Sequence, residues 1–305
     1  MSDCLARPIF VIGMPRSGTT LVFERLAGIP GLGWLSNYSE MAPGQPWLNI
    51  LRPLLGSRLL RLEGRKRQYG RTLPGNRYLP QPVEAYAFWD RWAHPDFSTD
   101  FLVGQSADRA RREATRDAVR RTLRWQRRER LITKITGPGR IAFLTSIFPD
   151  ARFVHVIRDG RPVVDSLLRV GFWVAKGGLE RPFWRGGLDP AVLDDWRLHG
   201  SRPAELAALQ WLHVIRGTRA EAGALPAEQY VELRYEDFID DQAGQLNRLA
   251  GLLDLPGAGL VDERSRARED ARARMNEKYR DHLDPETIQR ITRIMGPLLS
   301  ELHYV

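Results

Sequence analysis

The sequence predicts an α/β protein: a single domain, residues 1–305, with a central parallel sheet flanked by helices and a P-loop-like phosphate-binding loop behind its first strand. Three observations carry this. Short β-branched apolar runs at residues 9–12 and 151–157 each end in a glycine turn that opens a helical pattern. Strands alternate with helices along the chain, the signature of a parallel sheet covered on both faces. A chain of 305 residues, 43% of them hydrophobic, is large enough to fill one core.

The elements follow in order. Residues 9–12 form a buried strand, Gly13-Met-Pro-Arg-Ser-Gly18-Thr-Thr a loop, and residues 19–28 a helix. A second strand is expected at 32–35. Residues 34–100 are rich in Trp, Pro and Gly with little regular period. The arginine run at 109–130 carries Ala107, Ala110, Ala114 and Ala118 at helical spacing, so most of its cations line a solvated face. The strand at 151–157 turns through Arg158-Asp-Gly-Arg-Pro162 into a helix at 162–170, where Pro162 is ordinary capping chemistry. A second irregular stretch covers 171–200. Helical patterns return at 203–219 and 243–253, around a strand near 229–233, and a helix at 284–301 ends the chain. No internal repeat is evident.

The first loop has the Gly13 and Gly18 spacing of a Walker A motif, but Thr19 stands where that motif has lysine. Its backbone N–H groups and the helix start still favour an anion. With the lysine absent and Arg16 inside the loop, metal-dependent nucleoside triphosphate chemistry is disfavoured. Arg158, at the carboxyl end of a strand, and Ser166, two helical turns later, can reach one anion at the edge where open α/β sheets bind ligands.

These two segments together resemble the sulfotransferases that use 3′-phosphoadenosine-5′-phosphosulfate (PAPS), in the bacterial and tyrosylprotein-sulfotransferase-like branch. Pro15-Arg-Ser-Gly-Thr-Thr20 resembles the family's loop for the 5′-phosphosulfate, which implies that Arg16, Ser17, Gly18, Thr19 and Thr20 bind it. Arg158 through Ser166 resembles the site for the 3′-phosphate. Leu131-Ile-Thr-Lys134-Ile-Thr resembles the family's lysine-bearing segment, and Leu233-Arg-Tyr-Glu-Asp-Phe238 its Tyr-Glu-Asp strand end, which places Tyr235 near the nucleotide. Asn276-Glu-Lys-Tyr-Arg280 is similar to a Gly-Lys-Trp-Arg element of bacterial members, with Glu277 and Tyr279 departing from it, and implies a role for Lys278.

The resemblance implies transfer of a sulfuryl group from PAPS to a hydroxyl acceptor, with adenosine 3′,5′-bisphosphate released. Arg16 and Lys134 are the cations expected beside the leaving oxygen. Glu40 lies at about the distance from the loop at which glutamate-using members carry their base, with Glu84, His94 and His155 as weaker candidates and His155 read as core. A carbohydrate, lipid-linked or small-molecule hydroxyl is favoured as acceptor, and a peptide tyrosine is the alternative. Trp34, Trp47, Trp89, Trp92, Trp173, Trp184 and Trp196 fall in or beside the irregular stretches 34–100 and 171–200, which are the candidate acceptor walls; burial is the competing reading for each ring.

Composition narrows the remaining classes. Forty-six Lys and Arg against 37 Asp and Glu give +9, mostly as arginine spread along the chain, which suits an anionic ligand. A single cysteine excludes an internal disulfide, and six scattered histidines show no metal-binding spacing, so no metal is expected. The start of the chain shows neither a cationic leader nor a long apolar run, which predicts a cytoplasmic protein without a transmembrane segment. No nucleic-acid partner is expected. Oligomeric state does not follow from the sequence. Rival readings are a P-loop kinase, a non-catalytic basic protein that binds glycan or nucleic acid, and a sulfotransferase relative that binds the cofactor without turnover.

Overall fold

The structure is a computed structural model that describes residues 5–54, 79–256 and 276–305. Five strands form one parallel sheet in the order β2-β3-β1-β4-β5. They are β1 (Ile9–Gly13), β2 (Leu32–Gly33), β3 (Arg130–Thr136), β4 (Arg152–Ile157) and β5 (Tyr230–Arg234). From central β1 the chain goes to one side to make β2 and β3, then crosses to the other for β4 and β5. That reversal opens a crevice at the carboxyl ends of β1 and β4, the usual ligand position in open α/β sheets.

The apolar run of β1 is buried on both faces, as a central parallel strand requires. Phe10 and Ile12 pack with Leu131, Ile135 and Phe153 against α3 (Tyr86–Trp92), α4 (Arg109–Gln126) and α5 (Ile141–Ile147). Ile9 and Val11 face the other way, with Ile132, Val154 and Leu233, toward α1 (Thr19–Ala27), α10 (Tyr235–Asp240) and α11 (Gln242–Leu252). A third apolar cluster fills the space between α6 (Gly160–Leu167), α9 (Pro203–Ala222) and the C-terminal helix Pro285–Glu301.

Helix ends follow local chemistry. Asp108 caps α4 by accepting the Arg111 N–H at 2.7 Å, and Asp284 caps the last helix through Thr287 N–H at 2.9 Å. On α4 the buried stripe is Thr115, Ala118, Val119, Thr122, Leu123 and Gln126, while Arg109, Arg111, Arg112, Arg121 and Arg124 are exposed. Ala110 is exposed, so the alanine register only partly marks the inner face.

The irregular stretches hold short elements: α2 (Asn37–Met41), a 3-10 segment Pro46–Leu54, α7 (Gly171–Ala175) and α8 (Pro190–Leu198). Part of the expected 34–100 wall, residues 55–78, lies outside the described residues.

Candidate functional site

The loop after β1 is shaped by close approaches. Gly13 has φ 151°, and a Cβ there would lie 2.4 Å from the Val156 carbonyl oxygen on β4. Gly18, with φ 89°, begins α1, and a Cβ on it would lie 2.2 Å from the Tyr235 ring. Glycine is therefore required at position 18 by both conformation and contact. Arg16 adopts φ 74°, a left-handed conformation that a non-glycine residue takes at a cost and that is concentrated at functional sites. The Ser17 hydroxyl is buried and has no hydrogen-bond partner among the described residues. A buried hydroxyl in a glycine cradle at a helix start is suited to an anion's oxygen.

The second segment closes on the first. Arg16 Nε donates to Ser166 Oγ at 2.8 Å across 150 residues of sequence, and Arg158 Nη1 donates to the Arg16 carbonyl oxygen at 3.0 Å. The Arg158 guanidinium stacks over the Tyr235 ring at 4.7 Å, so Tyr235 is buried between Gly18 and Arg158. Burial holds the Arg158 guanidinium below its ordinary range; Tyr235 and Glu236 oppose that shift, and Arg16 adds to it. Two guanidiniums repelling each other around a hydroxyl are stabilised by a polyanion placed between them.

Scaffold contacts fix these groups. Asp159 caps α6 through Arg161 N–H at 2.9 Å and pairs with the Arg161 side chain at 2.6 Å. Glu236 accepts the Asp159 N–H at 3.3 Å and the Tyr304 hydroxyl at 2.8 Å, and burial raises its pKa. The Tyr-Glu-Asp segment predicted as a strand end is the first turn of α10, and its glutamate braces the Arg-Asp-Gly turn.

On the other side of the loop, Lys134 on β3 lies in register with Val11 and is almost wholly buried. Its Nζ donates to Thr20 Oγ1 at 2.7 Å and lies 3.2 Å from Glu84 Oε1. Glu84 Oε1 also accepts the Thr136 hydroxyl at 2.9 Å, and Tyr86 donates to the Thr136 carbonyl oxygen at 2.6 Å. A lysine reaches the glycine loop after all, from a neighbouring strand rather than from position 19.

Glu40 is exposed on α2, where Oε2 accepts the Ala87 N–H at 3.0 Å in the first turn of α3. Its anchor, Ala87, therefore lies three positions after Glu84 in the chain. His155 is fully buried within β4, with Nδ1 2.7 Å from the Tyr230 hydroxyl. Burial lowers its pKa to about 3, so it is neutral, inaccessible and part of the core, as the sequence suggested. His94 Nδ1 accepts the Asp96 N–H at 3.1 Å in the turn after α3.

Two expectations shift. Lys278 is exposed at the start of the short helix Tyr279–His282, and Asn276 is the residue of that element that meets Arg158: its Oδ1 accepts from Nε at 2.9 Å and Nη2 at 2.6 Å. Asn276 carries no charge, so nothing in Asn276-Glu-Lys-Tyr-Arg280 as a sequence singles it out beside Lys278 and Arg280. The tryptophans resolve toward burial: Trp34, Trp89, Trp173, Trp184 and Trp196 are in the core, so they do not offer faces to an acceptor. Trp92 is half-buried and donates to the Pro43 carbonyl oxygen at 2.9 Å, which leaves Trp47 as the exposed ring of the seven.

A parallel sheet with a glycine loop behind its central strand and two arginines meeting at its carboxyl edge defines a P-loop-like, phosphate-binding α/β protein. Residues 8–258 match the sulfotransferase family model, and the chain belongs to the sulfotransferase family. It is similar to the omega-hydroxy-beta-dihydromenaquinone-9 sulfotransferases Stf3 of Mycobacterium bovis and Mycobacterium tuberculosis, at 27% identity over 258 residues, 79% of this chain and 61% of each relative. The chain thus matches less than two-thirds of the length of those relatives. Its fold is similar to that of sulfotransferase STF9 from Mycobacterium avium, with a TM-score of 0.57, 17% identity, and coverage of 97% of this chain and 77% of that one. The sulfotransferase domain from the curacin biosynthetic pathway aligns with a TM-score of 0.52 at 14% identity, over 96% of this chain and 98% of that domain.

Proposed function

We propose that this protein moves the sulfuryl group of PAPS to the hydroxyl of an apolar small-molecule or lipid-like acceptor. The observation that carries the reading is the convergence of Arg16, Arg158 and Ser166, with Arg16 Nε 2.8 Å from Ser166 Oγ, at the carboxyl edge of the sheet. PAPS has a phosphate at each end of its ribose. This chain has a glycine cradle containing a buried Ser17 hydroxyl without a partner among the described residues, and beside it Arg158 and Ser166, which Arg16 of the loop links through its carbonyl oxygen and its Nε. The two anionic groups match the two sites.

In this reading Ser17, Gly18, Thr19 and Thr20 hold the 5′-phosphate end, while Arg158 and Ser166 hold the 3′-phosphate, with Asn276 yielding the Arg158 fork. Tyr235 sets the spacing between the two. Lys278 is the exposed cation that would approach the same end. PAPS, when bound, supplies an activated sulfuryl group whose S–O bond to phosphate breaks as the acceptor oxygen attacks. Lys134, held by Thr20 and Glu84, and Arg16 stabilise the negative charge that the departing phosphate oxygen gains. Glu40 takes the acceptor's proton: Oε2 is anchored by Ala87 N–H, and Oε1 is the atom assigned to the hydroxyl. Glu84 positions Lys134.

An apolar acceptor is supported by α7, which follows the helix of Ser166 and exposes Phe172 and Val174 on either side of Trp173, whose buried ring stacks on Phe183 with centroids 4.6 Å apart. The Stf3 relatives are named for a hydroxylated menaquinone, and the same acceptor class is inferred here; a peptide tyrosine is not favoured. Cytoplasmic placement belongs to this proposal, since PAPS is made there.

The test is calorimetry with adenosine 3′,5′-bisphosphate, 5′-AMP and Mg-ATP, followed by transfer of labelled sulfate from PAPS to a panel of hydroxylated apolar acceptors. Selective binding of the bisphosphate and label transfer are expected. Binding of Mg-ATP alone would replace this reading with a kinase.

A further inference from the structure

A group of large apolar side chains stands exposed beside the acceptor side of the site. Met41 is 75% exposed, Trp47 52%, Ile50 51% and Leu51 40%, all within eleven residues of α2 and the 3-10 segment. Met41 is the neighbour of Glu40. Monomeric proteins rarely leave such groups uncovered without a use for them.

The backbone beneath them is anchored. Asn49 is buried, and its Oδ1 accepts from Ser36 Oγ at 2.8 Å and Gln126 Nε2 at 3.2 Å, while its Nδ2 donates to the Pro46 carbonyl oxygen at 3.2 Å. Gln126 Nε2 also donates to the Trp34 carbonyl oxygen at 2.6 Å. Arg52 turns inward and stacks on Trp34 at 4.5 Å. With Asn49 and Arg52 as inward anchors, the intervening Ile50 and Leu51 are held outward.

The buried Asn49–Gln126 hydrogen bond ties the 3-10 segment to the end of α4. There Trp125 is 42% exposed and sits between exposed Arg124 and the Gln126-Arg127 turn, with Arg121 one helical turn back and paired with Asp117 at 2.5 Å. Exposed indoles and aliphatic side chains bordered by guanidiniums form the pattern that lies in a bilayer interface, apolar groups at the acyl boundary and cations at the headgroups.

We propose that this face, Met41, Trp47, Ile50, Leu51 and Trp125 with Arg124 and Arg127, docks on an anionic phospholipid bilayer. A second copy of the chain is a poorer occupant, because each copy carries +9 and a two-fold contact would bring the same arginine-bordered face against itself. Among the described residues no helix is long and apolar enough to cross a membrane, so the contact is peripheral. Docking there would bring Glu40 close to the bilayer, where a hydroxyl on an apolar molecule is presented; that consequence rests on the proposed function, whereas the docking itself does not.

Flotation of the full chain with vesicles of phosphatidylcholine alone and of phosphatidylcholine with phosphatidylglycerol at about 3:1 tests this. Binding to the anionic vesicles and loss of most of it at high salt are expected. The triple variant Trp47→Ser, Ile50→Ser, Leu51→Ser and the double variant Arg124→Glu, Arg127→Glu should each weaken binding roughly tenfold or more. Their melting temperatures and adenosine 3′,5′-bisphosphate affinity should match the parent. Wild-type binding no stronger than that of the folded variants, or no vesicle binding at all, overturns the proposal. So does a concentration-dependent dimer that the triple variant abolishes, which would assign the face to a second copy. Loss of bisphosphate binding in the parent with vesicle binding intact would sink the proposed function and leave the docking face standing.

Discussion

The two sides of the crevice are built differently. On the nucleotide side, the main proposed contacts stand at or just beyond the end of a strand, the loop on β1, Arg158 on β4 and Tyr235 on β5, with Ser166 on the helix after β4. Burial and stacking lock these groups to one another, as Tyr235 does by filling the space between Gly18 and Arg158. On the proposed acceptor side, Glu40, Glu84, Phe172 and Val174 come from short helices and turns, Glu40 held by the Ala87 N–H, Glu84 by Thr136 and Lys134, and α7 by the Trp173–Phe183 stack. The difference separates a binding task common to a family from a choice of acceptor. Sheet ends give sub-ångström placement, whereas loops give surfaces that can change without unfolding the sheet.

Substitutions can break or sharpen this contrast. The largest effect is expected for Glu40→Gln, which should lower turnover by about 10²- to 10⁴-fold and leave adenosine 3′,5′-bisphosphate affinity unchanged. Wild-type turnover in that variant would move the base to another acceptor-side group, Glu84 first. Lys134→Ala should cost roughly 10²- to 10³-fold in kcat, read by steady-state kinetics, because it removes charge stabilisation from the nucleotide side. Arg158→Ala should weaken the bisphosphate by about 10- to 100-fold and 5′-AMP far less, the value of one or two charge-assisted hydrogen bonds. Equal loss for both ligands in calorimetry would detach Arg158 from the 3′-phosphate.

The smallest effect concerns stability. His155 has a folded pKa of about 3, depressed below the ordinary histidine value of about 6.5. The unfolded chain therefore binds a proton between those values that the folded chain refuses. His155 contributes its full stability above about pH 6.5 and loses it as the pH falls toward 3, at up to roughly 1.4 kcal/mol per pH unit. Urea titrations at pH 7 and pH 5 should show that slope, and His155→Gln should flatten it. An unchanged slope would mean that other groups govern the acid limb.

Much of the nucleotide side is legible in the sequence. A strand that ends in glycine and opens a helix is a local event, written in consecutive residues, and β1, α1, β4, β5 and α11 appear within a residue or two of their expected bounds, whereas α6 ends three residues early and α10 stands where a strand end was expected. The contact of Arg16 with Ser166 was not legible, since the resemblance assigns Arg16 to the 5′-phosphosulfate and Ser166 to the 3′-phosphate and 150 residues separate them. Asn276 was missed because an amide carries no charge to single it out. Lys134 illustrates the converse: Thr19 correctly signalled that the loop lacks its own lysine, but replacing that cation from β3 depends on the Val11–Lys134 register. Tryptophan content misled most, since an irregular stretch rich in indoles looks the same whether the rings line a wall or fill a core. Trp173 and Trp184 fill one.

The sequence by itself determined the alternation of strand and helix, the glycine loop and the anionic character of its ligand, because each is dictated by short-range sterics, periodicity or charge. Only the tertiary structure decided which groups meet. The strand order sets β1 between β3 and β4, and so brings Lys134 to one side of the loop and Arg158 to the other. The same folding turned most tryptophans inward and left Trp47 and its apolar neighbours facing out. Such outcomes follow from how distant segments compete for buried area, and no local pattern encodes that competition.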